Sequence, residues 1–200
     1  DITSPVGMSR SVGRPNAGRL ENGVPVRSFP GAIVVNPDQC WATDETAALL
    51  VVAIEETRRA FPDAHDLVLG DISHRDGGPI APHRSHQSGR DVDLGFYYLG
   101  KPPGRMFIPA TPANFDVERT WYLIETMLLT ERVQYIFIDN AVQRMLYEHV
   151  RGIYPPKRLE AWFQYPRGPR AKAIIRHVPG HRDHIHVRFK CSEGDAGCEE

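Results

Sequence analysis

The chain has 200 residues, a formal net charge of -1 and a pI near 6.8, so it lacks the basic surplus of proteins that bind nucleic acids or anionic membranes. No apolar run approaches the roughly 18 residues that a membrane-spanning helix needs. We predict one domain over residues 31–200, preceded by an extended arm, residues 1–30, whose Gly, Pro, Ser and Arg residues show no steady periodicity. The chain begins at Asp1 rather than Met, so we expect a processed or trimmed form, in which export is possible but not visible.

In chain order, the pattern predicts short strands that alternate with helices. A strand over 32–35 precedes a helix from Asp44 to Ala60, which has apolar residues at helical spacing and Thr43 or Asp44 as its cap. A buried strand over 67–71 follows, and a second strand is predicted from 90 to 98. Helices over 120–129 and 140–150 flank a strand over 133–138, and Asn140 with Gln143 suggests a capping box for the second of these helices. One long final strand is predicted over 173–190.

The segment HRSHQSGRDVD, residues 83–93, has the spacing of a metal site. His86 and Asp93 stand seven residues apart across a turn at Gly89, and the pair His184 and His186 follows about ninety residues later. Two imidazoles and one carboxylate are the ligands of a catalytic zinc whose fourth position stays open for water. The sequence therefore predicts a zinc hydrolase.

Strand alternation supports this interpretation of the two segments. Asp91 and Asp93 would share one face of a strand, with Val92 turned toward the core. His184 and His186 would likewise share one side of the last strand, so that one binds metal while the other faces the reacting water. Taken singly, each residue also has an ordinary explanation, because loop histidines are usually solvated and aspartates often cap turns. The combination is much more specific than its parts.

The same residues carry a resemblance to a known family. Ser85, His86, Gly89 and Asp93 fit the pattern SxHxxGxxxD, and His184-x-His186 fits the late HxH. The segments SHQSGRDVDLGF and PGHRDHIHVRFKC resemble the penicillin-insensitive murein endopeptidases. These belong to a larger group of zinc peptidases with the lysostaphin-type enzymes, the D-Ala-D-Ala peptidases and the hedgehog signalling domain. The resemblance extends loosely over residues 18–198.

The resemblance implies a set of site residues. It assigns His86, Asp93 and His186 as ligands of Zn²⁺, and His184 as the base or as a stabiliser of the transition state. His181 and His83 match two further histidines of the endopeptidase pattern. We expect His181 and His184 to be catalytic residues. We expect His83 to form a hydrogen bond with the substrate rather than to bind a second metal. Substrate-binding or ligand-orienting positions are also expected at Asp71, Ser85 and Asp91, although Asp71 can equally cap a turn.

The resemblance also implies a fold and an activity. We expect an α+β fold, in which a small, mostly antiparallel sheet holds the zinc site on one face and packs helices on the other. The expected reaction is hydrolysis of peptide cross-links in bacterial peptidoglycan, at the bond between D-alanine and meso-diaminopimelate, by a periplasmic or secreted enzyme. Two alternatives stay open. One is a D-Ala-D-Ala carboxypeptidase or dipeptidase of the same group, and the other is a zinc-containing module that binds without catalysis.

The cysteines and two long loops complete the sequence-based expectations. Cys191 and Cys198 bracket a Gly-rich loop that a disulfide can close, which favours an oxidising compartment. Cys40 is left over; we expect a buried free thiol, and the odd cysteine count leaves an intermolecular disulfide as the alternative. The stretches 99–114 and 153–173 are predicted as walls of a substrate groove, with an irregular surface loop as the alternative for the second. In the second stretch we expect Trp162, Phe163 and Tyr165 to offer aromatic faces, and Arg167 or Arg170 to bind a carboxylate.

Overall fold

The computed structural model describes residues 8–200, so residues 1–7 of the predicted arm lie outside the described range. In chain order the elements are β1 (Arg10–Arg14), β2 (Ala17–Glu21), β3 (Val24–Pro25), β4 (Ala32–Val34), β5 (Trp41–Ala42), α1 (Asp44–Ala60), β6 (Leu67–Leu69), β7 (Asp91–Leu94), α2 (Val117–Leu129), β8 (Val133–Ile138), α3 (Asn140–Val150), α4 (Pro156–Trp162), β9 (Ile175–His177) and β10 (Ile185–Phe189). The expected α+β class is confirmed.

The central sheet has six strands in the order β4-β6-β7-β10-β8-β9. Its three inner pairings are antiparallel, whereas the pairings at both edges, β4 with β6 and β8 with β9, are parallel. Each parallel pair is joined by a helical crossover, through α1 in one case and through α3 and α4 in the other. The sheet is therefore mixed, and the expected antiparallel character holds for its centre.

One face of the sheet centre is apolar and packs into the core. Val92 and Leu94 of β7 and Ile185 and Val187 of β10 are fully buried, and they join one cluster with the apolar side chains of α1, α2 and α3. Since side chains alternate along a strand, the residues between them are presented to the opposite face. The polar residues of β7 and β10 therefore share that second face.

The helices begin at side-chain caps. Thr43, one of the two predicted caps, accepts a hydrogen bond from the Thr46 amide at the start of α1. At the start of α3, however, the cap is Asp139, which accepts from the Ala141 amide, so the predicted capping box of Asn140 and Gln143 was wrong by one residue. None of the helices within residues 8–200 is long and apolar enough to cross a membrane.

The segment predicted as an extended arm carries regular structure in its described part. Strands β1 and β2 form an antiparallel hairpin, and β3 pairs with β5. Leu20 and Val24 are buried, and the Gly13 amide donates to the Gly197 carbonyl at 2.7 Å. The hairpin therefore packs on the domain and contacts the C-terminal tail.

Two predicted strands are shorter than expected. The strand predicted over 90–98 ends at Leu94. The single strand predicted over 173–190 is two strands, β9 and β10, separated by a loop that contains Pro179 and Gly180. Proline cannot donate a backbone hydrogen bond to a sheet, and Gly180 has a φ of +91°, so this loop leaves the extended conformation.

Candidate metal centre

Asp93 and His186 are cross-strand neighbours at the centre of the sheet. The register of β7 and β10 places His186 opposite Asp93 and Arg188 opposite Asp91. All four side chains lie on the face opposite the apolar core, where directly opposed residues are in contact range. His186 Nδ1 lies 3.4 Å from Asp93 Oδ1. The antiparallel pairing thus joins the two sequence motifs, which are about ninety residues apart.

His86 reaches the same point from the loop before β7. It is fully buried and has a φ of +64°, which is rare for a residue other than glycine. Its amide donates to Asp91 Oδ2 at 3.0 Å, and its Nδ1 donates to the Ile72 carbonyl at 3.1 Å. The turn at Gly89 needs glycine, because its φ is +74° and an added Cβ would lie 3.0 Å from the Thr43 amide nitrogen. These bonds direct His86 Nε2 toward Asp93.

Four imidazoles converge on the Asp93 carboxylate. One ring nitrogen of each lies near it: His86 Nε2 at 3.3 Å and His186 Nδ1 at 3.4 Å from Oδ1, His184 Nε2 at 3.8 Å from Oδ1, and His83 Nδ1 at 3.7 Å from Oδ2. Three of these residues, His83, His86 and Asp93, each offer one ligand atom within 4.8 Å of the others. The predicted zinc ligands therefore lie together, and the structure gives His83 the neighbours that the sequence did not reveal.

The second nitrogen of each ring is fixed by an acceptor. The Ile72 carbonyl holds His86, and carboxylates hold the other three: Asp91 accepts from His186 Nε2 at 3.0 Å, Asp71 from His83 Nε2 at 2.9 Å, and Asp183 from His184 Nδ1 at 2.6 Å. Such partners select the tautomer of a metal-binding histidine and orient its ring. Each imidazole is left with an unprotonated nitrogen aimed at the centre.

The buried carboxylates of this face are ionised. Burial opposes the charge of Asp93, but the neighbouring imidazole of His86, with the imidazoles of His186 and His184, favours the ionised form and lowers its pKa to about 2. Burial likewise opposes the charge of Asp91, yet His186 and Arg188 hold its pKa well below the ordinary value. Burial also disfavours the charged form of His86, but Asp93 outweighs it and the pKa of His86 is raised. The centre therefore consists of the negatively charged Asp93 carboxylate surrounded by imidazole rings.

Two facing atoms in the centre have no hydrogen-bond partner. His86 Nε2 and Asp93 Oδ1 are both buried and unsatisfied within the described residues. A buried polar atom without a partner costs about 1–3 kcal/mol, and more when it is charged. A cation between them would satisfy both atoms, and imidazole nitrogen with carboxylate oxygen is a donor set typical of zinc. The residues present thus fit a zinc ion.

Other side chains shape the surroundings of the four histidines. Phe107 stacks on His184 with ring centroids 5.0 Å apart, and His181 lies 4.8 Å from His184 by the same measure. Burial, together with the charges of His184 and His186, lowers the pKa of His181. Arg188 donates to Asp91 at 2.7 Å. Sequence reasoning missed Phe107, Asp183 and Arg188, although Arg188 shares strand parity with His186.

The two stretches predicted as groove walls differ in their contacts with the histidines. Phe107 in the first stretch stacks on His184. In the second stretch, Trp162 and Phe163 are buried in the core, where Trp121 packs on both, and they offer no free aromatic face. Arg167 donates to the backbone carbonyls of Glu160 and Phe163. Ser85 makes no side-chain hydrogen bond among residues 8–200 and keeps its predicted role only as a hypothesis.

The cysteines behave as expected. Cys191 and Cys198 form a disulfide with an S–S distance of 2.07 Å. Cys40 is a buried free thiol whose Sγ donates to the Gly70 carbonyl at 2.9 Å, and burial raises its pKa to about 12. Neither the disulfide nor this thiol contacts the four histidines, so their contribution is to the scaffold.

Comparison with known proteins agrees with the resemblance. A family model described as penicillin-insensitive murein endopeptidase matches residues 32–107. A curated relative from Pectobacterium atrosepticum, named penicillin-insensitive murein endopeptidase, is 28% identical over 153 residues, which cover 68% of this chain and 48% of the relative. The chain thus spans about half the length of that relative. Together, the matched model and the curated relative show that this chain is similar to the penicillin-insensitive murein endopeptidases.

Proposed function

We propose that this protein is a zinc endopeptidase that hydrolyses the peptide cross-links of bacterial peptidoglycan, at the bond between D-alanine and meso-diaminopimelate. The observation that carries the proposal is the convergence of four oriented imidazoles on one buried, ionised carboxylate. The substrate comes from the family, since the relative's name refers to murein endopeptidase activity. The geometry is consistent with that activity.

The proposed zinc ligands are His86, Asp93 and His186. They are buried and lie on or beside the central strands, which restricts their movement. His83 is a further candidate ligand, because its Nδ1 faces Asp93 while Asp71 holds its Nε2. When bound, a zinc ion acts as a Lewis acid on a carbonyl and lowers the pKa of water from about 15.7 toward 7.

His184 is the proposed general base. It lies at the edge of the centre with a side chain that is 17% exposed, so it can reach substrate and solvent as well as Asp93. Its Nδ1 proton is held by Asp183, which leaves Nε2 free to accept a proton from the attacking water. Asp183 also stabilises the imidazolium that results. His181 stays uncharged at neutral pH and can contact the developing oxyanion from the adjacent position.

Attack by water also accounts for the insensitivity to penicillin in the family's name. A β-lactam inhibits by acylating a nucleophilic serine, which needs a base to take its proton. Within residues 8–200 no serine hydroxyl is hydrogen-bonded to the imidazole ring of a histidine, and the Ser88 hydroxyl beside the site is buried without a partner. The site therefore supports no acyl-enzyme step. The disulfide fits the proposed periplasmic or extracellular location.

Defined cross-linked muropeptide dimers test this function directly. The zinc-loaded protein is incubated with the dimers, with and without a chelator, and the products are identified by mass spectrometry. We expect chelator-sensitive conversion of dimers to monomers, restored by added zinc. Asp93→Asn should abolish it, whereas Asp63→Asn, at an exposed aspartate, should not. Release of terminal D-alanine from intact dimers would instead identify a carboxypeptidase, and no product with zinc bound would favour a binding module.

A further inference from the structure

A hollow of about 740 Å³ lies between α3 and three loop segments. Its loop walls contain Ala110 and Arg182. Two backbone hydrogen bonds connect these walls to the site: the Ala110 amide donates to the Arg182 carbonyl at 2.9 Å, and the Asp139 amide at the start of α3 donates to the His181 carbonyl at 2.7 Å. The hollow is therefore built against the chain segment that carries His181 and His184.

The hollow has an excess of positive charge. Arg144 on α3 and Arg182 both line it, and neither forms an ion pair within residues 8–200. The one carboxylate in its lining, Glu148, is already paired with Arg151 at 2.9 Å. Two guanidinium groups without acidic partners thus face the same concave surface.

The remaining lining suits a short peptide end. Met145 and Tyr165 give the wall apolar and aromatic surface, and Tyr165 is only partly buried. Concave sites of this kind combine apolar walls with a few charged groups that fix the orientation of the ligand. A guanidinium offers paired N–H donors that match the two oxygens of a carboxylate.

We infer that the hollow binds a free carboxylate of the peptide on the amine side of the scissile bond, through Arg144 and Arg182. This inference rests on the proposed function, which supplies the peptide. A cross-link to meso-diaminopimelate has such a carboxylate on the carbon next to the scissile nitrogen, and a second one at the terminal D-alanine of the same stem. Both carboxylates present the same charged group to the two arginines. Efficient cleavage would therefore require a negatively charged carboxylate in the hollow.

The test compares substrates in which one carboxylate is replaced by an amide. Three muropeptide dimers are used: the native dimer, one amidated at the diaminopimelate carboxylate and one amidated at the terminal D-alanine. Wild type should lose about 10- to 100-fold in kcat/KM on one amidated dimer, which identifies the source. The double variant Arg144→Gln and Arg182→Gln should lose a similar factor in kcat/KM on the native dimer. It should also cleave the native and the amidated dimers at the same rate. Arg59→Gln, at an exposed arginine of α1, is the matched control.

Binding to the metal-free protein separates this inference from the proposed function. Affinity for the same dimers is measured by calorimetry in the presence of a chelator, where no cleavage is needed. A preference for the carboxylate over the amide that disappears in the double variant supports the hollow, even if the dimers are never cleaved. Equal affinity of wild type for all three dimers, or an unchanged preference in the double variant, would overturn it. Circular dichroism spectra matching wild type would show that the double variant is folded.

Discussion

Replacing Asp91 by asparagine tests how the sheet holds the site. Asp91 is buried and accepts four hydrogen bonds, two at each oxygen. Oδ1 accepts from His186 Nε2 at 3.0 Å and Arg188 Nε at 2.7 Å, and Oδ2 accepts from the His86 amide at 3.0 Å and the second Arg188 nitrogen at 3.3 Å. The amide group of asparagine can replace only one of these oxygens. In either orientation its NH2 group faces two donors.

In the less destabilising orientation of the asparagine side chain, the amide oxygen takes the place of Oδ1 and still accepts from His186. This orientation leaves the His86 amide and one Arg188 nitrogen without an acceptor, and it removes the charge that compensates Arg188. Because a hydrogen bond involving a charged group contributes about 1.5–3 kcal/mol, and because the Arg188 bond is long, we expect a loss of about 3 kcal/mol in the free energy of unfolding. His86 would also be less firmly held at its positive φ, so zinc affinity should fall about 10- to 100-fold.

Two measurements check this expectation. Urea unfolding of the metal-free protein gives the stability change, and competition with a chromogenic chelator gives the zinc dissociation constant. Asp183→Asn is the matched control, since it acts on His184 and should lower kcat while leaving zinc affinity unchanged. If Asp91→Asn bound zinc as tightly as wild type, the orienting role of Asp91 would be wrong.

The remaining predictions concern the base and the cysteines. His184→Ala should lower kcat by about 10²- to 10⁴-fold yet retain zinc, as measured by metal analysis of the purified variant; loss of zinc would instead mark His184 as a ligand. The double variant Cys191→Ser and Cys198→Ser should lose about 2 kcal/mol of unfolding free energy for so short a loop, and an unchanged urea midpoint would contradict this. Because burial raises the pKa of Cys40 from 9.0 to about 12, folded protein should react with iodoacetamide about a thousandfold more slowly than unfolded protein near neutral pH. This protonated thiol contributes full stability below pH 9, and that contribution should fall as the pH rises from 9 toward 12, as urea unfolding across this range would show.

The motif residues could be predicted from the sequence because each segment carries its own geometry. Strand parity in Asp91-Val92-Asp93 and in His184-Ile185-His186 predicted which side chains share a face, and the structure pairs these two segments across β7 and β10. The helix over about Asp44 to Ala60 could be predicted, since its apolar spacing and its candidate caps, Thr43 and Asp44, are local signals. These features depend on short stretches of chain.

The contacts that orient the site could not be predicted in the same way. His83 meets Asp71 only because the loop after β6 folds back toward the sheet, and no local pattern encodes that approach. Trp162 and Phe163 are aromatic residues in a Pro- and Arg-rich stretch, which suggested an exposed wall. Instead, both side chains pack against the ring of Trp121 in the core.

The anchoring of His86 and Asp93 bears on which ion the centre selects. The His86 ring donates to the Ile72 carbonyl and Asp93 lies on a central strand, so both facing atoms are held by the surrounding structure. Calcium needs about six to eight oxygen ligands, and magnesium needs an octahedral shell made largely of oxygen. A rigid centre that offers mostly nitrogen provides neither shell. If the proposed zinc site is correct, this ligand chemistry disfavours competition from calcium and magnesium, and the protein should retain zinc even where both of these ions are in large excess.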